Sequence, residues 1–188
     1  MTLRPTPSQT VGPFFEFGLL DPPRSDLVPE GTPGAVRIEG VVRDGQGLPV
    51  PDAMIEIWQA APSGRYAHPE DTRDELPPRE GFSGFGRAGT DANGVFRFQT
   101  LKPGSVPWPD GRPQAPHLNV SVFARGLLHR LVTRMYFPDE ERANAADPLL
   151  SGIPDAATRA TLVARDENGV LLFDIRLQGQ GETCFFQI

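Results

Sequence analysis

The sequence is poor in the residues on which several common kinds of functional site depend. Its 188 residues include one cysteine, three histidines and two tyrosines, and a single cysteine cannot form an internal disulfide. There is no His-Glu-x-x-His pattern, no pair of closely spaced cysteines, no glycine-rich phosphate loop and no Gly-x-Ser-x-Gly turn. These absences argue against a zinc enzyme, a nucleotide-binding protein and a serine hydrolase.

Long apolar runs and clusters of basic residues are also missing. No apolar stretch approaches the roughly 20 residues that a membrane span needs, and residues 1–10 lack the apolar segment of a signal peptide. The formal net charge is −6, and no group of Lys and Arg residues would attract nucleic acid or a membrane surface. We therefore expect a cytoplasmic protein whose partners are proteins and small molecules.

Turn-forming residues between short alternating runs dominate the sequence instead. It contains 21 prolines and 20 glycines, yet 38% of its residues are hydrophobic, so the chain can bury a core. Alternation of apolar and polar residues predicts strands at residues 35–43, 53–60, 95–100, 118–122, 130–137 and 170–177, with a last short strand at 182–188. This pattern predicts an all-β, single-domain β-sandwich over residues 35–188.

Two segments between the predicted strands carry more specific signals. Residues 86–94 end in Asn93-Gly94, which together with the alternating run that follows predicts a β-hairpin. Residues 139–164 break the alternation and favour short helical turns, with Asp155 near the start of one of them.

The first 34 residues predict an arm rather than a part of the sandwich. Phe14, Phe15 and Phe17 lie among turn-forming residues, and their rings need a surface on which to pack. They could close one end of the chain's own core, or they could pack across a subunit boundary. We interpret residues 1–34 as an extended arm and linker that pack on a partner chain.

Candidate functional residues concentrate where a loop rich in proline and glycine leads into a strand. His117 and Asn119 are two positions apart in that strand, so their side chains point to the same side. A His-x-His pair would be suited to binding a metal ion, but this sequence has His-x-Asn. Tyr66 ends a turn elsewhere in the chain, and the other histidines, His68 and His129, are expected to be surface or packing residues.

An ordered series of motifs covers nearly the whole chain and resembles the intradiol ring-cleavage dioxygenases. The motifs are Glu-Ile-Trp-Gln-Ala at 56–60, Gly-Arg-Tyr at 64–66, Gly-Arg to Asn-Gly at 86–94, Leu-Lys-Pro-Gly at 101–104, Pro-Trp at 107–108 and Arg-x-Tyr-Phe at 134–137. The resemblance implies a β-sandwich enzyme that holds a ferric ion with two tyrosines and two histidines. Such an enzyme splits a catechol between its two hydroxylated carbons.

This sequence keeps two of the four iron ligands that the resemblance implies. Tyr66 and His117 fall on the first tyrosine and the first histidine, whereas Val106 and Asn119 stand where the second tyrosine and the second histidine are expected. Valine has no donor atom and an amide is a poor replacement for imidazole, so half of the shell is missing. The resemblance therefore implies an alpha-type chain without a metal of its own, whose homologous beta chain binds Fe(III) in a large alpha-beta oligomer.

The resemblance also implies a substrate and the residues that contact it. Three segments resemble the alpha-type chains of the family, namely residues 6–13, 116–126 and 179–183. In such chains the arm reaches over the iron pocket of the beta chain, so Thr10, Gly12 and Pro13 would form part of its wall and Arg134 would lie at its rim. The implied reaction inserts both atoms of O₂ into protocatechuate and gives 3-carboxy-cis,cis-muconate, and an arginine suits the carboxylate of this catechol.

Three alternatives stay open at the level of the sequence. The chain could hold iron itself through an unusual shell, for which the candidates are Tyr66, His117, Tyr136 and His129. The same type of sandwich also serves as a non-enzymatic binding module. Arg134, finally, could be an ordinary ion-pair partner of one of the 24 acidic residues.

Overall fold

Short strands make up most of the regular structure in the computed structural model, which describes residues 6–12 and 15–187. In chain order the strands are β1 (Ala35–Arg43), β2 (Met54–Trp58), β3 (Phe85–Gly89), β4 (Val95–Leu101), β5 (Val106–Pro107), β6 (Pro113–Gln114), β7 (His117–Phe123), β8 (Leu131–Tyr136), β9 (Arg165–Glu167), β10 (Val170–Leu172) and β11 (Ile175–Arg176). The helices are α1 (Phe15–Leu19), α2 (Glu141–Ala146), α3 (Pro148–Ser151) and α4 (Ala156–Ala160).

The strands form two main sheets, which confirms the predicted all-β sandwich. The first sheet is antiparallel and has the order β3-β2-β7-β8. In the second sheet, β1 pairs with β4 on one side and runs parallel to β10 and β11 on the other, while β9 forms a hairpin with β10. The short pair β5 and β6 lies outside both sheets.

The hydrophobic core lies between the two sheets because their strands turn alternate apolar side chains inward. Ile55 and Ile57 of β2 and Val120 of β7 face Phe96 and Phe98 of β4 in one buried cluster. In an antiparallel sheet the residues between such positions point to the other side. The first sheet therefore presents a second row of side chains away from the core, and this row positions the candidate site.

The hairpin predicted from Asn93-Gly94 is wrong, although the tight turn exists. Asp91 accepts hydrogen bonds from the backbone N–H groups of Asn93 and Val95 over 2.8 and 3.0 Å, and Gly94 has a φ of 74°. The flanking strands belong to different sheets, since β3 pairs with β2 and β4 pairs with β1. The turn residues determine only the local reversal, whereas the strand partners depend on which apolar side chains the two sheets bury together.

The last predicted strand, at residues 182–188, is wrong within the described residues. One bridge forms there, in which the Phe186 N–H donates to the carbonyl of Val132 over 2.7 Å. Just before it, the Cys184 N–H donates to the hydroxyl of Thr161 over 3.0 Å. Because successive backbone groups bond to different elements, no ladder develops.

The short helices predicted within residues 139–164 are confirmed as α2, α3 and α4. The Asp147 side chain accepts hydrogen bonds from the N–H groups of Leu149 and Leu150 at the start of α3, and Asp155 accepts one from Thr158 at the start of α4. Such caps satisfy donors that the first turn of a helix leaves unpaired. No helix in the described part of the chain has the length and apolar character of a membrane span.

Several parts of the N-terminal segment lie on the sandwich of this chain, within the residues 1–34 that the sequence analysis interprets as an arm and linker. Residues 15–19 form the single turn of α1 in an arm expected to be extended. Beyond it the chain already lies on the sandwich, since Arg24 and Asp26 bridge to β3 and β4 and Val28 is buried. Parts of the segment before Leu20 also contact the sandwich, since Thr10 and Leu19 accept hydrogen bonds from Gly126 and Arg87. The packing of the arm on a partner chain stays a prediction.

A candidate ligand cleft beside the antiparallel sheet

A cleft of about 660 Å³ opens on the side of the antiparallel sheet that faces away from the core. We call it the outer cleft. Its walls come from the ends of β2, β7 and β8, from the loop after β2 and from the β5-β6 pair, and its principal side chains are Trp58, Tyr66, Val106, Gln114, His117 and Arg134.

The pairing of three strands places the sheet residues of the outer cleft. Asn119 of β7 lies opposite both Trp58 of β2 and Arg134 of β8, and His117 lies opposite Tyr136. Residues paired across strands point to the same side of a sheet, so these five side chains form one continuous patch. This arrangement confirms the prediction that the side chains of His117 and Asn119 point to the same side of the sheet.

Two glycines let the loop of Tyr66 and the loop of Val106 approach each other. A Cβ atom at Gly64 or Gly104 would lie 2.3 or 2.5 Å from a backbone carbonyl oxygen. The N–H groups of both glycines donate to the same carbonyl, that of Ala61, over 2.8 and 3.0 Å. This close approach brings Tyr66 and Val106 into the same cleft although they are far apart in the sequence.

Gly64→Ala is expected to lower the free energy of unfolding by about 2 kcal/mol more than Gly111→Ala does. Both glycines have left-handed φ values, 83° and 87°, so both variants carry the same conformational cost. Only at position 64 does the new Cβ collide with backbone, the carbonyl oxygen of Ser105, whereas nothing lies within 4 Å of a Cβ at position 111. Urea unfolding of the two variants measures the difference, and equal losses would show that the loops separate without cost.

Tyr66 is held in the outer cleft by a stacked ring and by an acidic side chain. Its ring centroid lies 5.8 Å from that of Trp58 with an interplanar angle of 12°, and its backbone N–H donates to Asp71 Oδ2 over 2.7 Å. Asp71 also pairs with Arg73 at 2.6 Å, and the hydrogen bonds from Arg73 hold the pKa of this carboxyl well below its usual range. Burial raises the pKa of the Tyr66 phenol, so the hydroxyl keeps its proton at neutral pH.

His117 is neutral and presents an unprotonated Nε2. Its Nδ1 lies 2.8 Å from the carbonyl oxygen of Ala115, which can only accept, so the ring hydrogen is on Nδ1. Burial, followed by the charge of Arg134, lowers the pKa of this imidazole to about 4. The other side of the ring packs against Tyr136 at a centroid distance of 5.6 Å.

A buried carboxylate, Asp147, fixes the floor beneath these residues. It is 0% exposed and accepts hydrogen bonds of 2.9 to 3.1 Å from the Tyr136 hydroxyl and from the N–H groups of Ala115, Leu149 and Leu150. Burial of a charged group is tolerated only when it is hydrogen-bonded in this way. Asp147 thereby joins the start of α3 to the end of β8 and to Ala115, two residues before β7.

Arg134 places a guanidinium group in the outer cleft. Its Nη1 donates to Gln114 Oε1 over 2.8 Å and to the Tyr136 hydroxyl over 3.3 Å, and its Cζ lies 6.0 Å from the ring centroid of Trp108. Within the described ranges no carboxylate forms an ion pair with it, so the ion-pair role considered for Arg134 is not realised there.

The positions that the resemblance assigns to an iron shell meet at this cleft, but their donor atoms do not make that shell. Tyr66 and His117 have suitable atoms, Val106 has none, and the Asn119 amide donates to the carbonyl of Trp58 over 3.4 Å. In the described part of the chain no group of three or more His, Cys, Asp and Glu side chains is placed to hold a metal ion. The residues present therefore do not fit a four-ligand ferric site.

The arm residues predicted to contact substrate lie far from the outer cleft. The Thr10 hydroxyl accepts a hydrogen bond from the N–H of Gly126 over 2.8 Å, just beyond the far end of β7, and a Cβ atom added at Gly12 would meet no described atom within 4 Å. The length of β7 separates this point from His117 by roughly 20 Å. Pro13 lies outside the described residues. Within this chain, Thr10 and Gly12 are therefore not brought together with Arg134.

The alternative iron shell does not form. His129 lies at the same far end of β7, beside Val11 and Leu128. Tyr66, His117 and Tyr136 meet at the outer cleft, at the other end of that strand. His129 therefore cannot complete their coordination.

Two residues that organise the cleft were not found by sequence reasoning. Asp147 precedes Pro148, a pattern that predicts a helix cap but not the reach of the same carboxylate to Tyr136. Gln114 carries no local signal, because it meets Arg134 only through the pairing of β6 with β5.

The fold and this arrangement define a dioxygenase-type β-sandwich. The sequence profile of the family described as Dioxygenase matches residues 24–179, and the chain belongs to the intradiol dioxygenase family. The solved dioxygenase domain of a dioxygenase carbohydrate-binding protein fusion from Streptomyces sp. SirexAA-E is 28% identical, with a TM-score of 0.57 and coverage of 94% of this chain and 99% of that chain.

Among individual proteins, this chain is similar to both subunits of one enzyme. It is 42% identical to the protocatechuate 3,4-dioxygenase alpha chain of Burkholderia cepacia, over 100% of this chain and 99% of that one. It is 41% identical to the beta chain from the same species, over 84% of this chain and 71% of that one. Enzymes of this family perform intradiol ring cleavage and depend on non-haem iron.

Proposed function

We propose that this chain is the alpha-type, non-iron-ligating subunit of a protocatechuate 3,4-dioxygenase. The observation that carries the proposal is the combination of similarity to an alpha chain over the full length with the loss of donor atoms at Val106 and Asn119. A neutral valine and an amide cannot supply the charge that a hard trivalent ion requires. The Fe(III) then belongs to a homologous beta chain that keeps both tyrosines and both histidines.

The reaction of the assembled enzyme is the cleavage of protocatechuate by O₂. The carbon–carbon bond between the two hydroxylated carbons breaks, each of these carbons receives one oxygen atom of O₂, and the product is 3-carboxy-cis,cis-muconate. When bound in the beta chain, ferric iron makes the catecholate reactive toward O₂. This chain contributes packing, positioning and the exclusion of water at the shared pocket.

The arm is the part of this chain that meets the iron pocket of the beta chain. Thr10, Gly12 and Pro13 form a section of the pocket wall in this proposal. Two features of the described arm support an intermolecular role, namely that Gly12 is exposed and that the Phe17 side chain is 74% exposed. A large apolar side chain at such exposure is stabilised when a partner surface covers it.

Co-expression with a homologous chain that carries both tyrosines and both histidines tests the proposal. We expect iron, the visible absorption of tyrosinate-bound ferric iron, and protocatechuate cleavage in the copurified complex only. This chain purified alone serves as the control and should be colourless and inactive. A coloured and active single chain would contradict the proposal, because its own residues would then hold the iron.

A further inference from the structure

We propose that two neighbouring arginines on the outer face of the second sheet, Arg43 and Arg176, form a binding site for a small dianionic oxyanion of the phosphate type. Both side chains line one cleft of about 280 Å³, which we call the arginine cleft. It lies beside β1 and β11, on the other sheet from the outer cleft. The proposal rests on this geometry and does not require the subunit assignment.

The pairing of β1 with β11 places the two guanidinium groups next to each other. Arg43 is in register with Arg176 in this parallel pair, and the residues before them, Val42 and Ile175, are buried in the core. Because successive residues of a strand point to opposite sides, both arginines point away from the core. Their side chains meet at the turn after β1. Arg43 Nη1 donates to the carbonyl of Gly47 over 3.3 Å, and a Cβ atom at Gly47 would lie 3.7 Å from Arg176 Nη2.

Neither arginine has a carboxylate partner among the residues that the structure describes. The hydrogen bonds of the two guanidinium groups go to neutral backbone carbonyls, those of Gly47 and Gln178. Like charges at neighbouring positions of paired strands repel each other. The formal net charge of the chain is −6, so acidic residues are abundant, yet two positive charges lie together here without one. An anion bound between them would remove the repulsion.

The acidic side chains around the arginine cleft are engaged by other groups. Asp174, which lines the cleft, accepts a hydrogen bond from the N–H of Val41 over 3.0 Å and pairs with Arg165 at 3.5 Å. Asp44 accepts hydrogen bonds from two N–H groups of its own turn over 2.9 Å. Glu182 accepts one from a backbone N–H of the turn after β11 over 3.3 Å. The two guanidinium groups therefore keep their charge available to a ligand.

A buried hydroxyl and the size of the cleft define the ligand further. Thr183 lines the cleft and is 2% exposed. Its hydroxyl accepts a hydrogen bond from the N–H of Arg176 over 2.9 Å and donates to no described group, so its hydrogen is available to an anion. A volume of about 280 Å³ lies just below the usual range of small-molecule sites, which favours an inorganic oxyanion over a larger ligand.

The free donors of the two arginines match a tetrahedral oxyanion. With the described residues, Arg43 makes its hydrogen bond through Nη1 and Arg176 through Nε, so the other donors of both groups remain unused. Guanidinium groups donate in parallel to pairs of oxygen atoms, which a phosphate presents and a halide does not. A dianion also balances both positive charges, whereas a monoanion balances one of them.

Thermal unfolding of the full chain in sodium phosphate, compared with sodium chloride at the same ionic strength, tests the proposal. We expect a melting temperature about 3–5 °C higher in about 50 mM phosphate, because a ligand that binds only the folded chain stabilises it. Arg43→Gln and Arg176→Gln should each lose more than half of this increase. Arg176→Lys should fall between wild type and Arg176→Gln, since lysine keeps the charge but loses the parallel donors.

Arg37→Gln is the matched control. Arg37 points to the same side of β1 as Arg43, but it lies at the other end of the strand, and its contact with Glu30 is an exposed pair at 3.9 Å. This variant should keep the whole increase in phosphate. Phosphate also stabilises folded proteins by exclusion from their surface, and this general effect is the same in the control as in the other variants. Sodium acetate, whose anion has a single charge, should give wild type less than half of the increase.

The same melting curves reveal whether the two arginines are merely structural. In chloride, Arg43→Gln and Arg176→Gln should melt at the temperature of wild type or above it, because each removes a repulsion between like charges. Equal increases in phosphate for wild type and both of these variants would overturn the proposal. An increase in wild type no larger in phosphate than in acetate would also overturn it, and this comparison needs no variant. Failure of the subunit assignment is recognised separately, because these measurements require no partner chain.

Discussion

Asp147→Ala is expected to lower the free energy of unfolding by about 3–5 kcal/mol. The carboxylate is fully buried and accepts hydrogen bonds from three backbone N–H groups and from the Tyr136 hydroxyl. Alanine removes all of these acceptors at once and leaves the donors buried without partners, which costs more than the hydrogen bonds themselves contribute. Urea unfolding followed by circular dichroism measures the loss.

Asp155→Ala is the matched control for this experiment. Asp155 caps α4 as Asp147 caps α3, but it is exposed and accepts hydrogen bonds from the N–H and the hydroxyl of Thr158, within the same helix. The loss of an exposed cap costs about 1 kcal/mol. If both variants lose the same stability, the hydrogen bonds that Asp147 accepts from Tyr136 and Ala115 contribute nothing, and the cleft floor is not fixed as we describe.

The strands could be predicted from the sequence because alternation is a local property. The run Ala35–Arg43 forms β1 with the predicted bounds, and the alternation of Ile55 and Ile57 with Glu56 and Trp58 identifies which side chains of β2 enter the core. The partner of each strand is not local. The residues of the turn at Asn93-Gly94 do not indicate that β4 pairs with β1 rather than with β3.

The outer cleft could also be predicted only in part from the sequence. Motifs in a fixed order identify four of its positions in the sequence, and the structure brings these positions together. They are Tyr66, Val106, His117 and Asn119. The position of Arg134 inside this cleft could not be predicted from the motifs. Its position depends on the register of β8 against β7, which puts it opposite Asn119 and therefore inside the chain's own cleft.

This register has a chemical consequence. From the sequence, Asn119 is known only as a position where a histidine ligand is missing, and Arg134 only as a basic residue elsewhere in the chain. In the fold they are neighbours across a strand pair, so the cleft has lost donor atoms and holds a positive charge at the same point. The loss of donor atoms and the charge of Arg134 therefore both act against a cation at this point of the cleft.

The stability of this protein is expected to fall as the pH decreases from about 6.5 to 4, with His117 contributing about 2–3 kcal/mol of the loss by pH 4.5. Burial lowers the pKa of His117 to about 4 in the folded protein. The unfolded chain, in which the imidazole has its ordinary pKa, takes up a proton over this interval while the folded protein does not. Protons therefore favour the unfolded state, and the contribution is complete only above the unfolded pKa.

His117→Gln should remove this part of the pH dependence, because glutamine does not titrate. Its free energy of unfolding would change less than that of wild type between pH 7 and pH 4.5, whatever its absolute stability. His129→Gln, at an exposed position beyond β7, should keep the wild-type dependence. Equal slopes for wild type and His117→Gln would mean that the imidazole takes up its proton as readily in the folded chain as in the unfolded one. Its ring would then be open to water, which contradicts the burial that lowers its pKa.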